Sequence, residues 1–175
     1  MTISTATVST YCDDALGGHD AVSLLAAIDA RDVHPDEVLT AVIERARQAD
    51  GQLNAVAAWA LSPVLGDGPF GGLPTFIKDN ESVAGLPGRQ GSRAVPPVAA
   101  AASSEFVGHV ERLGFTVMGT STMPEFGLTA TTEPLLGGPT RNPWNPAHST
   151  GGSSGGAAAL VAAGVTPIAH GNDGG

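Results

Sequence analysis

The sequence is short of sulfur: Cys12 is its only cysteine, so no disulfide can staple the chain and a disulfide scaffold is excluded. Aromatic residues make up 5% and charged residues 14% of the 175 positions, and lysine occurs once, at Lys78. Apolar runs are short as well. The longest, residues 157–169, is broken by Gly164, Thr166 and Pro167, which excludes a bilayer-spanning helix. The opening residues lack the basic-then-apolar order of a secretory signal, and with the lone cysteine this points to the reducing cytoplasm. Basic side chains number 8 against 17 acidic ones, and the net charge of -9 sets long-range electrostatics against nucleic acid and anionic membrane. His19, His34, His109, His148 and His170 show no mutual ligand spacing, so no metal site is expected, nor any cofactor.

What is present is apolar enough, at 42%, to exclude disorder, and 175 residues suffice for one domain or a large piece of one. Glycine is abundant, 24 residues with 13 prolines, but without period, so a collagen-like or low-complexity chain is excluded. The glycines gather at 66–72, 137–138, 151–156 and 171–175, where they mark turns and close backbone approach.

Residues 1–16 read as a loosely held leader and 17–175 as the body. Asp20 caps a helix running to about Arg31, and a second starts near Pro35, with Asp36 and Glu37 in its first turn, Arg45 and Arg47 in its last and Gly51 beyond. Residues 54–61 suit a strand or short helix, and 62–72 a turn-rich loop. Leu73–Ile77 reads as a buried strand, Ser104–Leu113 as a helix stopped by Gly114, and Phe115–Met118 as a second strand. A helical turn at 124–127 and an irregular, proline-rich stretch at 131–150 precede an alanine-rich helix from about Ala157 to Ala163. A strand at 167–170 completes the pattern. Strands alternating with helices predict an α/β fold with a partly parallel sheet.

Three segments can carry chemistry. Lys78 closes an apolar strand, where burial disfavours the ammonium and frees a neutral amine as a base; the plainer alternative is a strand-end lysine paired with Asp79. The run Ser149–Gly156, S-T-G-G-S-S-G-G, leads straight into a helix whose first N–H groups are open to an anion or oxyanion. It suits a phosphate cradle, a serine loop or a surface turn; the cradle lacks the customary lysine, and the packed alanine helix behind favours a functional loop over a turn. G-x-S-x-G occurs twice here, at Ser153 and Ser154, yet a hydrolase elbow needs a central strand before it, which Pro143 and Pro146 disallow. The third segment, His170–Gly175, suits a tight turn or an N–H pocket for an oxyanion.

Together these segments resemble the amidase signature family. F-G-G-L-P-T-F-I-K-D (70–79) is similar to its lysine strand, T-S-T-M-P-E-F-G (120–127) to its K-T-N-M-x-E-F-A segment, and T-R-N-P-W-N with S-T-G-G-S-S-G-G-A-A-A to its long signature. A-H-G-N-D-G-G (169–175) is similar to the start of its G-T-D-x-G-G-S-I-R block, and the spelling resembles bacterial enzymes acting on small or cyclic amides. The resemblance implies a mixed sheet covered by helices and hydrolysis of an amide C–N bond by a Ser–cis-Ser–Lys triad, without metal or cofactor. It implies Lys78 as base and Ser153 as bridging serine after a cis Gly152–Ser153 bond. Gly174 and Gly175 are implied in the oxyanion hole, Ser154, Gly152 and Asp173 in supporting positions, and Arg141 in a structural one. The expected partner is a small-molecule amide.

In the family pattern D-x-G-G-S, Asp173, Gly174 and Gly175 fill the first three positions, and the nucleophilic serine falls two residues past Gly175. The chain is therefore expected to be a truncated, catalytically inactive amidase fold, with exposed edges open to homodimer formation or aggregation. Two other readings remain open at this stage: an amidotransferase A-type subunit, and a non-catalytic remnant that only associates. A smaller departure from the pattern is T-S-T at 120–122, where the family has K-T-N.

Overall fold

The computed structural model describes residues 6–172. Helix α1, Ala21–Ala30, begins where the Asp20 carboxylate accepts the Ser23 N–H at 2.8 Å, and ends at Arg31 in the left-handed region. Helix α2, Pro35–Leu53, is opened by His34, whose ring accepts from Asp36 N while the His34 backbone N–H donates to the Glu37 carboxylate. It runs past Gly51, where the sequence predicted its end, so Arg45 and Arg47 lie mid-helix rather than in the last turn. The reason is Asp50, whose carboxylate accepts from Ala55 N and Val56 N and so carries the helix on to bury Leu53.

Strand β1, Val56–Trp59, is followed by β2, Pro74–Lys78, then helix α3, Glu105–Arg112, and β3, Thr116–Ser121. The sheet order is β1-β3-β2, with β3 antiparallel to β1 and parallel to β2. The expected α/β class with a partly parallel sheet is what the chain adopts. Every residue of β2 and β3 is buried, the pattern of strands covered on both faces. On one side Phe76 and Met118 join Leu24, Val42, Leu53 and Leu160 in the main core; on the other Ile77 and Val117 meet Val107 of α3. A 3₁₀ turn at Glu125–Gly127 leads to a two-stranded ribbon, β4 (Arg141–Asn142) and β5 (Asn145–Ser149), and then to helix α4, Gly155–Ala162.

Three expectations are corrected. The stretch 131–150 is not wholly irregular, since it contains the β4–β5 ribbon; with no third strand to satisfy, its prolines cost little. Residues 167–170 form no strand, because Pro167 has no N–H and side chains take the edge bonds on either side of the one backbone bond, His170 N–H to Phe76 O: Thr166 Oγ1 donates to Pro74 O and the His170 ring accepts from Lys78 N. Residues 6–16 are not loosely held. Val8 N donates to Pro143 O, Thr10 N to Ala163 O, and Val8, Thr10 and Leu16 are buried. Asp14 anchors this segment to α2 through both carboxylate oxygens, accepting from Arg45 Nε at 2.8 Å and Nη2 at 2.5 Å, and Arg45 also donates to the carbonyls of Gly17 and Gly164. Among the described residues no helix is long and apolar enough to cross a membrane.

Candidate active site

Strand β2 delivers Lys78 to its C-terminal end with only 1% of its surface exposed. Its side chain reaches the loop between β5 and α4, where Nζ donates to Ser153 Oγ at 2.7 Å and to Asn172 Oδ1 at 2.5 Å. The Gly152–Ser153 bond is cis. Asp79, the alternative partner of the lysine, accepts instead from the backbone N–H of Arg89 at 3.2 Å. Burial pushes the Asp79 carboxyl above its ordinary value, and N–H groups from Arg89, Gly91 and Gln90 work against that shift.

Close approach of three segments builds the serine loop. Thr132, fully buried, donates its hydroxyl proton to Gly151 O at 2.9 Å and accepts from Gly155 N at 3.2 Å. Side chains are excluded at the start of α4: a Cβ on Gly155 would meet the Thr132 and Thr150 hydroxyls, and one on Gly156 the backbone of Thr122. Ser154 stands just before the helix, its hydroxyl donating to Asn172 O at 3.1 Å and accepting from Asn172 N at 3.3 Å. That pair fixes Asn172, whose side chain then meets Lys78. A cleft of about 370 Å³, lined by Thr150, Gly152, Ser153, Ser154 and Asn172, opens beside the lysine–serine pair.

The fold brings Lys78 against Ser153, with Gly152 and Ser154 on either side of that serine in the loop. Asp173, Gly174 and Gly175 lie outside the described residues. Sequence reasoning missed Asn172, Thr132 and the ring of His170, which is half-buried beside Lys78. Burial pushes the His170 imidazole below its ordinary value, the charge of Lys78 acts in the same direction and Glu81 opposes both. In the T-S-T departure, Thr122 Oγ1 pairs with Thr140 Oγ1 at 2.6 Å, whereas the buried hydroxyls of Thr120 and Ser121 have no hydrogen-bond partner among the described residues. No group of three or more His, Cys, Asp or Glu among the described residues is placed to hold a metal ion.

A lysine amine locked to a serine hydroxyl, away from bulk water, can pass a proton along a short wire. Known proteins share the surrounding sequence. A family model described as Amidase matches residues 23–175. The provisionally named amidase AmiC of Mycobacterium tuberculosis is 46% identical, over 96% of this chain and 37% of that protein. The 6-aminohexanoate-cyclic-dimer hydrolase of Paenarthrobacter ureafaciens is 35% identical, over 88% of this chain and 33% of that protein. A solved structure of 6-aminohexanoate cyclic dimer hydrolase complexed with substrate matches with a TM-score of 0.82 at 34% identity, over 89% of this chain and 34% of that one. The chain spans about a third of the length of these relatives.

Proposed function

The chain belongs to the amidase family, and from that premise we propose that it carries the proton-relay half of a centre that hydrolyses the C–N bond of a small carboxylic amide. The observation that carries the proposal is the 2.7 Å bond between the buried Lys78 Nζ and Ser153 Oγ. A lysine withdrawn from water has its ammonium form disfavoured, and the neutral amine is a base. In the proposed step the attacking serine, contributed from beyond the described residues, gives its proton to Ser153 Oγ as Ser153 passes its own to Lys78 Nζ. The serine oxygen bonds to the amide carbon, and backbone N–H groups of Gly174 and Gly175 hold the oxyanion, each such donor being worth about 3–4 kcal/mol in other serine enzymes. The relay then runs backwards, protonating the nitrogen as the C–N bond breaks, and water cleaves the resulting ester. Ser154, Gly152 and Asp173 support the loop, and we place the activity in the cytoplasm.

The test is amine release from simple amides by a version of the chain that carries the remaining length typical of the relatives. Lys78→Ala is expected to lower kcat/KM by about 10²–10⁴-fold, the range of a general base. Lys78→Arg is expected to restore nothing, because a guanidinium does not release its proton. Turnover by the Arg variant near the parent rate would overturn the proposal.

A further inference from the structure

The open edge of β2 ends in a mixed ladder. Its inner bond is backbone to backbone, His170 N–H to Phe76 O at 2.8 Å. The next donor along the edge is the N–H of Lys78, which a neighbouring strand would meet with a carbonyl. Here the acceptor is the ring Nδ1 of His170, 3.3 Å away. The imidazole is held in place by Phe106 of α3, with ring centroids 4.5 Å apart. One side chain therefore grips the backbone of the residue whose Nζ reaches Ser153.

We infer that His170 is a positioning residue for Lys78, and that it works only as the neutral imidazole carrying its proton on Nε2. The catalytic consequence rests on the role proposed above for Lys78; the positioning itself does not. A ring nitrogen accepts a hydrogen bond through its lone pair. A proton on Nδ1 would set two donors face to face and leave the Lys78 N–H without its acceptor. The charged groups that bear on the ring are Lys78 on β2 and Glu81 in the loop that follows, while α3 presents the uncharged ring of Phe106. Burial favours the neutral ring and outweighs the opposing charge of Glu81, and in that state Nδ1 can accept from the Lys78 N–H. As the medium is acidified below the ordinary imidazole range, the ring takes up a proton, the bond is lost, and Lys78 loses one of the contacts that aim it at Ser153.

Because Lys78 is the only lysine, labelling the 175-residue chain with ¹⁵N-lysine gives one backbone amide signal for the residue in question. That signal is expected to shift with the titration of the His170 ring, at a midpoint below the ordinary value of 6.5. In His170→Gln, whose side-chain carbonyl accepts without titrating, the signal should be flat over the same range. In His170→Phe, which retains the contact with Phe106 but has no acceptor, exchange of the Lys78 amide with solvent should quicken by about tenfold or more, a local opening rather than a global one. Ring nitrogen shifts reporting a proton on Nδ1 at neutral pH would overturn the inference. So would a Lys78 amide that ignores the ring titration, a result the unaltered chain supplies even if a variant fails to fold. None of these readouts needs turnover. Loss of amidase activity from the proposed function with the Lys78–His170 coupling intact would sink the catalytic reading alone, and the converse would sink the positioning alone.

Discussion

Thr132 serves the serine loop from both sides, donating to Gly151 O and accepting from Gly155 N in a fully buried position. Valine has nearly the same shape and neither hydrogen bond. Thr132→Val is therefore expected to destabilise the chain by about 1–3 kcal/mol, the cost of leaving a buried polar group unmatched. A urea titration reads this as a lower midpoint at unchanged slope. Thr132→Ser retains the hydroxyl and should lose clearly less. Lys78 stood out in the sequence as the only lysine, closing an apolar strand, and Ser153 was marked by the resemblance of its glycine-serine run to the amidase signature. Thr132, Asn172 and His170 were not legible there. Each takes its part from a partner brought near by folding, 19 residues away for Thr132 and Gly151, 94 for Asn172 and Lys78. No local pattern records such a meeting, although the asparagine among glycines at 171–175 was a signal that could have been weighed.

At the scale of elements, the strands and helices carrying the site were readable, but their ends were not. Helix α4 starts at Gly155, two residues before the alanine run that announced it. Propensity alone says that replacing a helical glycine by alanine gains about 1 kcal/mol. At Gly156 the added Cβ would fall on the backbone of Thr122, which has no rotamer to yield, so crowding decides the sign. Gly156→Ala is expected to cost about 1–3 kcal/mol in thermal or urea unfolding. A stabilised variant would show that β3 and α4 are less tightly joined than their contacts suggest. The end of α2 was misjudged for a related reason. Gly51 reads as a stop, yet Asp50 ties the following residues back and the burial of Leu53 outweighs the glycine. At 167–170 the sequence suggested a strand, but only the His170 N–H to Phe76 O bond keeps ladder form, and the ring of His170 takes the next position along the edge.

For the molecule as a whole, the clasp between Arg45 and Asp14 does what no sequence pattern foretold, fastening residues 6–16 to α2. Arg45 has 2% of its surface exposed and donates to three carbonyls besides the carboxylate. Arg45→Met is expected to cost about 3 kcal/mol or more, as breaking a buried pair does, and to expose the N-terminal segment to proteases. Burial raises the Asp14 carboxyl, but hydrogen bonds from Arg45, Cys12, Gly17 and Leu16 outweigh it and leave the group lowered from 3.8 to about 2. A carboxylate lowered on folding contributes stability above its unfolded value. That contribution should be complete above about pH 4 and vanish as the pH falls through the window from 3.8 to about 2. Asp14→Asn should flatten the acid limb of the stability curve there, and an unchanged limb would remove Asp14 from the account. The sheet order has its own consequence, in time rather than space. Strand β3 lies in the middle, yet it is the last of the three to leave the ribosome. Until Ser121 has emerged, neither earlier strand has a ladder to join, so the nascent chain must carry two bare strands across more than forty residues of synthesis, and a chaperone that shields such edges would find its work concentrated there.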